Sequence, residues 1–134
     1  HCASPEMPAF TLLITSSPFT GDRHQLALRF AQQAAKQESL LRVFFYGDAV
    51  LAANRNQQAP QGQENIATLW SEFAAQTGVP LICCIANSLR RGLSDATERD
   101  RYQLRDDCLH PAFCLAGLGE MAEASLDSER IVQF

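Results

Sequence analysis

Apolar residues fall in short, dense runs bounded by polar, turn-forming stretches, and these runs alternate with segments in which apolar positions recur at helical spacing. Phe10 to Thr15 is a near-continuous apolar and β-branched run, the pattern of a strand covered on both faces. Ser16 to Asp22 breaks it. From Arg23 to Gln37, Leu26, Phe30, Ala31, Ala34 and Ala35 trace one face of a helix, with Thr20 or Asp22 as its cap. Leu40 to Tyr46 reads as a second buried strand, followed by Gly47-Asp48 and a short alanine-rich helix to about Ala53. Strand, helix and strand at this distance predict a parallel, right-handed unit.

The pattern repeats downstream. Asn54 to Glu64 is a polar loop near the upper end of ordinary connection lengths. Ile66, Leu69, Trp70, Phe73 and Ala74 then mark a helix that stops before Gly78, and Val79 to Ala86 is a third apolar run. Asp95-Ala96-Thr97-Glu98 is a capping-box-like start for a polar helix to about Arg105. Phe113 to Leu115 predicts a brief extended segment. Gly117 and Gly119 introduce a helix through Met121, Ala122, Ala124 and Leu126, and Arg130 to Phe134 closes the chain as a strand. The alternation predicts an α/β fold, a three-layer sandwich with a mainly parallel sheet of four or five strands flanked by helices.

Length and composition narrow the function classes. A chain of 134 residues, 46% hydrophobic, suffices for one domain and not two. Residues 7–134 are expected to form it; residues 1–6, ahead of Met7, lack periodicity and read as a remnant of expression. A net charge of −4, with a single lysine at Lys36, argues against direct nucleic-acid binding. No apolar stretch reaches the roughly 20 residues of a membrane span, and no signal-peptide pattern opens the chain, so a cytoplasmic protein is expected.

Five cysteines (Cys2, Cys83, Cys84, Cys108 and Cys114) make an odd set without the density of a disulfide scaffold, and Cys108-x-His110-x₃-Cys114 matches no standard zinc spacing. Neither a metal nor a cofactor is expected. Cys83 and Cys84 adjoin on a strand, so their side chains point to opposite faces. Cys84 ends its run at the carboxyl edge of the sheet, where open α/β folds place their ligands.

Asn87 or Ser88 is the expected cap of the following helix. That puts Arg90 and Arg91 in its first turn, where the helix dipole disfavours cations. Either an anion or thiolate lies beside them, or they pair with Asp95 or Glu98. For Cys84, a reactive thiol and an inert small hydrophobe are both open readings.

Two rivals follow from spacing. Cys84 and Arg90 are six apart, as in thiol phosphatases, but Ile85, Ala86 and Leu89 are poor residues for a phosphate-binding loop, which favours glycine. No aspartate is evidently placed as the general acid for that chemistry, Asp22 and Asp48 being the two within conceivable reach. No glycine-rich nucleotide loop or Ser-His-Asp pattern is present. His24 and His110 are expected to be exposed polar residues; of the two, His24 is the better candidate for function, since its loop opens on the same sheet edge as Cys84.

Cys84-Ile85-Ala86-Asn87-Ser88-Leu89-Arg90-Arg91-Gly92, the Phe44-Phe45-Tyr46 strand, and the ending Gly117 to Leu126 and Arg130 to Phe134 together resemble the DsrE/TusD sulfurtransferase subunits of the DsrE family, over Met7 to Phe134. The resemblance implies a sulfurtransferase of a sulfur relay, in which Cys84 carries a persulfide from a TusA-like donor to a TusE- or DsrC-like acceptor. It further implies hetero-oligomers with TusB- and TusC-like subunits, and service either to 2-thiolation of the tRNA wobble uridine or to dissimilatory sulfur oxidation, the TusD type being closer. Arg90, Arg91, Asn87 and Ser88 fall in the shared motif as supporting residues. Cys83 departs from the family pattern, while Cys108 and Cys114 are expected to be structural. The remaining alternative is a noncatalytic assembly subunit.

Overall fold

The computed structural model describes residues 9–128 and 130–134, so the opening segment 1–6, with Cys2, lies outside the described residues. Five strands form one sheet: β1 (Phe10–Ile14), β2 (Leu40–Phe45), β3 (Leu81–Cys84), β4 (Phe113–Ala116) and β5 (Arg130–Gln133). The helices are α1 (Arg23–Lys36), α2 (Ile66–Thr77), α3 (Ile85–Arg90), α4 (Ala96–Tyr102) and α5 (Leu118–Ala124). All neighbouring strands are parallel, in the order β4-β3-β2-β1-β5. Among the described residues the expected α/β sandwich is therefore present, with five strands, all parallel.

The sheet faces are covered unequally. On one, Phe10, Leu12, Ile14, Val43, Phe45, Leu81, Cys83 and Phe113 pack against α1, α2 and a 3₁₀ helix, Gly47–Ala53. An aromatic cluster centres it: the Trp70 ring meets Phe45 edge-on at 5.3 Å and Phe73 at 5.8 Å. The other face holds a smaller cluster of Phe44, Cys84 and Met121, flanked by Leu13, Ile82 and Ala116. Its helical cover is the seven-residue α5, which supplies Met121.

A half-buried arginine fastens that cover. Arg42 donates to the Thr11 hydroxyl (2.9 Å), to Ser128 (3.1 Å) and to Asp127 (2.7 Å), so the segment after α5 is tied to the sheet beneath it. Arg42 sits on β2 beside Thr11 on β1, with a register irregularity between Phe10 and Thr11.

Several local expectations are corrected. In α1 the buried stripe is His24, Ala27, Leu28, Ala31 and Ala34, leaving Leu26 exposed, and Asp22 occupies the cap position without a side-chain bond. The alanine-rich turn after β2 is a 3₁₀ helix, entered through Gly47 at φ +59°, a conformation side chains disfavour. Asp95 does cap α4 through the Glu98 N–H, at 2.9 Å, but the helix ends at Tyr102 because Gln103 turns left-handed. The last helix stops at Ala124, and Leu126, in the 3₁₀ turn Ser125–Asp127, is 82% exposed rather than packed. Among the described residues no helix is long and apolar enough to cross a membrane.

Candidate active site

Strand β3 ends in Cys84, and α3 begins with the very next residue. Cys84 thus takes the cap position of α3 itself, at φ −62° and ψ 123°, and Asn87 and Ser88, expected as caps, lie inside the helix. This one shift changes the reading of the arginines. Arg90 falls in the last turn, where the dipole favours a cation, and Arg91 is the residue that closes the helix.

Alternation along β3 separates the adjacent thiols. Cys83 is fully buried in the main core. Burial, chiefly, with smaller contributions from Cys114 and Cys84, pushes its thiol far above the usual range, so it does not ionise. Cys84 faces the opposite side and lines a pocket of about 410 Å³ with Tyr46, Ala86, Asn87, Arg90 and Leu118. Its own surface is only 2% exposed, against the expectation of a partly exposed thiol. A reagent must come through the pocket to reach it.

The lining carries one cation, one phenol and one amide, and no carboxylate. Such a set tolerates a sulfur anion and repels none. Arg90 is exposed and makes no ion pair among the described residues. Since α3 has only six residues, its dipole is small, and Arg90 is the main source of positive potential here.

Arg91 is differently employed. Its Nε donates to Asp48 Oδ1 at 2.9 Å and its Nη1 to the Asn87 carbonyl at 3.0 Å, clamping α3 to the 3₁₀ helix. Neither arginine pairs with Asp95 or Glu98; Glu98 lies 3.7 Å from Arg101. Ser88 is buried, its hydroxyl without a partner among the described residues, and it does not line the pocket.

The phosphatase spacing loses its geometric basis. Residues 85–90 are helical, so their N–H groups point along one axis instead of converging on an anion. Asp48, a candidate acid for that chemistry, is held by Arg91.

His24, expected at the surface, is buried in the main core. The Trp70 Nε1–H donates to its Nδ1 at 3.3 Å, so Nδ1 is the acceptor and Nε2–H donates to the Ser16 carbonyl at 2.7 Å. Burial lowers its proton affinity, and the ring is a neutral structural group. The His110 Nδ1 accepts from the Ala112 N–H at 3.1 Å. Cys108 is buried and donates to the Gly92 carbonyl, while Cys114 is exposed on β4. Among the described residues no group of three or more His, Cys, Asp or Glu is placed to hold a metal ion.

Two pocket residues escape sequence reasoning, Tyr46 and Leu118. A signal for Tyr46 exists. Alternation puts Phe44 and Tyr46 on the face away from Phe45, and parallel pairing with β3 brings that face to Cys84.

A parallel five-stranded sheet flanked by helices is a fold shared with known proteins. The crystal structure of the ychN protein from E. coli superposes with a TM-score of 0.70 at 24% identity, over 96% of this chain and 100% of that one. A conserved protein of unknown function from Bacteroides thetaiotaomicron gives 0.56 at 16% identity, over 92% and 94%. Both likenesses concern the fold. Residues 9–134 match the DsrE/DsrF-like family, and the chain belongs to it. It is 39% identical over 127 residues to the sulfurtransferase TusD of Salmonella arizonae, covering 93% of this chain and 98% of that protein. To the sulfurtransferase TusD of Salmonella typhi it is 36% identical over 126 residues, with the same coverage. Similarity at this level over nearly whole chains makes the protein a sulfurtransferase, resembling those of the sulfur relay.

Proposed function

We propose that this sulfurtransferase is a relay station in which Cys84 takes a sulfur atom from one protein and hands it to another. The Cys84 thiolate attacks the outer sulfur of a donor persulfide, R–S–SH. A new S–S bond forms on Cys84, the donor's S–S bond breaks, and R–S⁻ leaves as thiolate. An acceptor thiolate then attacks the outer sulfur of Cys84–S–SH, regenerating the Cys84 thiolate. No electrons are gained or lost overall, so the exchange needs neither metal nor redox cofactor.

The observation that carries this reading is the position of Cys84 in a pocket lined by Arg90, Asn87 and Tyr46 with no carboxylate. An acid there would repel both the thiolate and the persulfide. Cys83 offers no competing nucleophile, because it is sealed in the core.

Likeness to the TusD relatives supports the finer assignment: residues 7–134 as a single DsrE-like domain, a TusA-like donor, a TusE- or DsrC-like acceptor, and TusB- and TusC-like companions in a cytoplasmic hetero-oligomer. Its product would be sulfur for 2-thiolation of the tRNA wobble uridine. The net charge of −4 fits a protein that deals with proteins rather than with RNA directly. Loading with a persulfide donor and locating the added 32 Da by mass spectrometry tests the assignment; sulfur found on Cys83 or Cys108, or retained in Cys84→Ser, rejects it.

The 2% exposure of Cys84 favours one second reading, a noncatalytic assembly subunit whose cysteine is only a packing residue. An intact complex in which Cys84 takes no sulfur would support it.

A further inference from the structure

We infer that Tyr46 is a persulfide-binding residue, its phenol donating a hydrogen bond to the outer sulfur on Cys84. This rests on the sulfur-relay reading and adds to it the group that holds the cargo.

Register brings the two residues to the same end of the sheet. Phe45 pairs with Cys83 in the last rung between β2 and β3, Tyr46 and Cys84 are the residues that follow, and both line the thiol pocket. Both face away from the main core: Phe44, two residues before Tyr46, shares the second cluster with Cys84. The Tyr46 N–H is held by the Ile14 carbonyl at 2.9 Å, which keeps the backbone in the ladder and fixes where the ring leaves it.

Tyr46 lines two compartments, the thiol pocket and an apolar trough of about 330 Å³ shared with Leu13, Phe44, Leu118, Met121 and Ile131. A tyrosine facing apolar walls keeps its hydroxyl for the polar side. That hydroxyl makes no hydrogen bond among the described residues, and Tyr46 is 39% exposed, so the donor is uncommitted. Arg90 supplies charge at the same pocket, and Tyr46 offers it a neutral donor. A neutral donor suits the diffuse charge of a persulfide anion: it holds the sulfur without a full ion pair that would impede release.

The test loads wild type and Tyr46→Phe with sodium polysulfide. The Cys84 thiolate takes one sulfur from HS–S⁻, giving Cys84–S–S⁻ and HS⁻. Cyanide then removes the outer sulfur as thiocyanate, returning the Cys84 thiolate. Tyr46→Phe keeps the ring and the trough wall. The expected result is cyanolysis faster by roughly threefold to tenfold, the scale of one lost hydrogen bond, with alkylation of unloaded Cys84 and the thermal midpoint unchanged. Equal cyanolysis rates overturn the inference, as does a parallel change in cyanolysis and in alkylation of the unloaded thiol, which would mark a packing role. A wild type that accepts no sulfur on Cys84 overturns the relay reading and this assignment with it.

Discussion

Cys83 and Cys84 are consecutive in sequence and belong to different halves of the molecule. Cys83 packs with Leu81, Phe45 and Phe113 under α1 and α2, while Cys84 packs with Phe44 and Met121 beneath α5 and opens on the pocket. The pleat of one four-residue strand therefore makes one thiol inert and gives its neighbour a route to solvent. Substitutions should separate them cleanly. Cys83→Ser puts an unpartnered hydroxyl into an apolar core and should cost about 1–3 kcal/mol, read as a lower urea midpoint, while sulfur loading stays intact. Cys84→Ser should show the reverse.

The two arginines also divide. Arg90→Ala should leave stability within about 0.5 kcal/mol, as surface changes usually do, yet slow sulfur loading by removing the pocket's cation. Arg91→Ala breaks a partly exposed pair with Asp48 worth at most about 1 kcal/mol, and also frees the Asn87 carbonyl. The loosened α3 should slow loading modestly, a defect recovered in part by Arg91→Lys, whereas Arg90→Lys should retain most of the wild-type rate. Stopped-flow loading beside urea titration checks both.

Arg42 controls the cover over the thiol without touching it. Arg42→Met releases the exposed Asp127 and takes the charged donor from the buried Thr11 hydroxyl, which keeps Ser128 as its partner, so the lost Thr11 bond costs about 0.5–1.5 kcal/mol. Loosened anchoring of α5 should raise the alkylation rate of Cys84 several-fold while Cys83 stays protected. Unchanged alkylation in a folded variant would mean that α5 does not limit access.

His24 predicts an acid-sensitive fold. Its proton affinity is lowered by burial, so the unfolded chain binds the proton more tightly, and the Trp70 bond exists only while Nδ1 is bare. Stability should be full above the ordinary histidine value of 6.5, decline as pH falls below it, and level off once the folded ring is itself protonated. His110, lowered for the same reason, adds in the same direction. Urea midpoints from pH 7.5 to 5 should show a smaller decline in His24→Gln than in wild type.

Much of the architecture is legible in the chain because buried parallel strands are continuous apolar runs: Phe10 to Ile14 and Leu40 to Phe45 need no tertiary knowledge to be found. Boundaries at the site are harder. Ile85 and Ala86 extend the apolar run of β3, and only packing of α3 against the 3₁₀ helix turns them into a first helical turn, which moves Arg90 from one end of the dipole to the other. His24 looks exposed at a helix start; its burial depends on Trp70, 46 residues away, offering an indole N–H. Leu118 follows Gly117 in a polar-looking segment and is 60% exposed, so its place beside Cys84 depends on how α5 lies across the sheet.

The central claim is that the Cys84 sulfur receives and releases a sulfur atom. Intact-mass and peptide mapping after loading, followed by exposure to an acceptor thiol, tests it most directly. The account predicts one added sulfur, confined to the peptide holding Cys84, present in Cys83→Ser, absent in Cys84→Ser, and lost on addition of the thiol. Sulfur on any other cysteine, or none on Cys84 in the assembled complex, would contradict it.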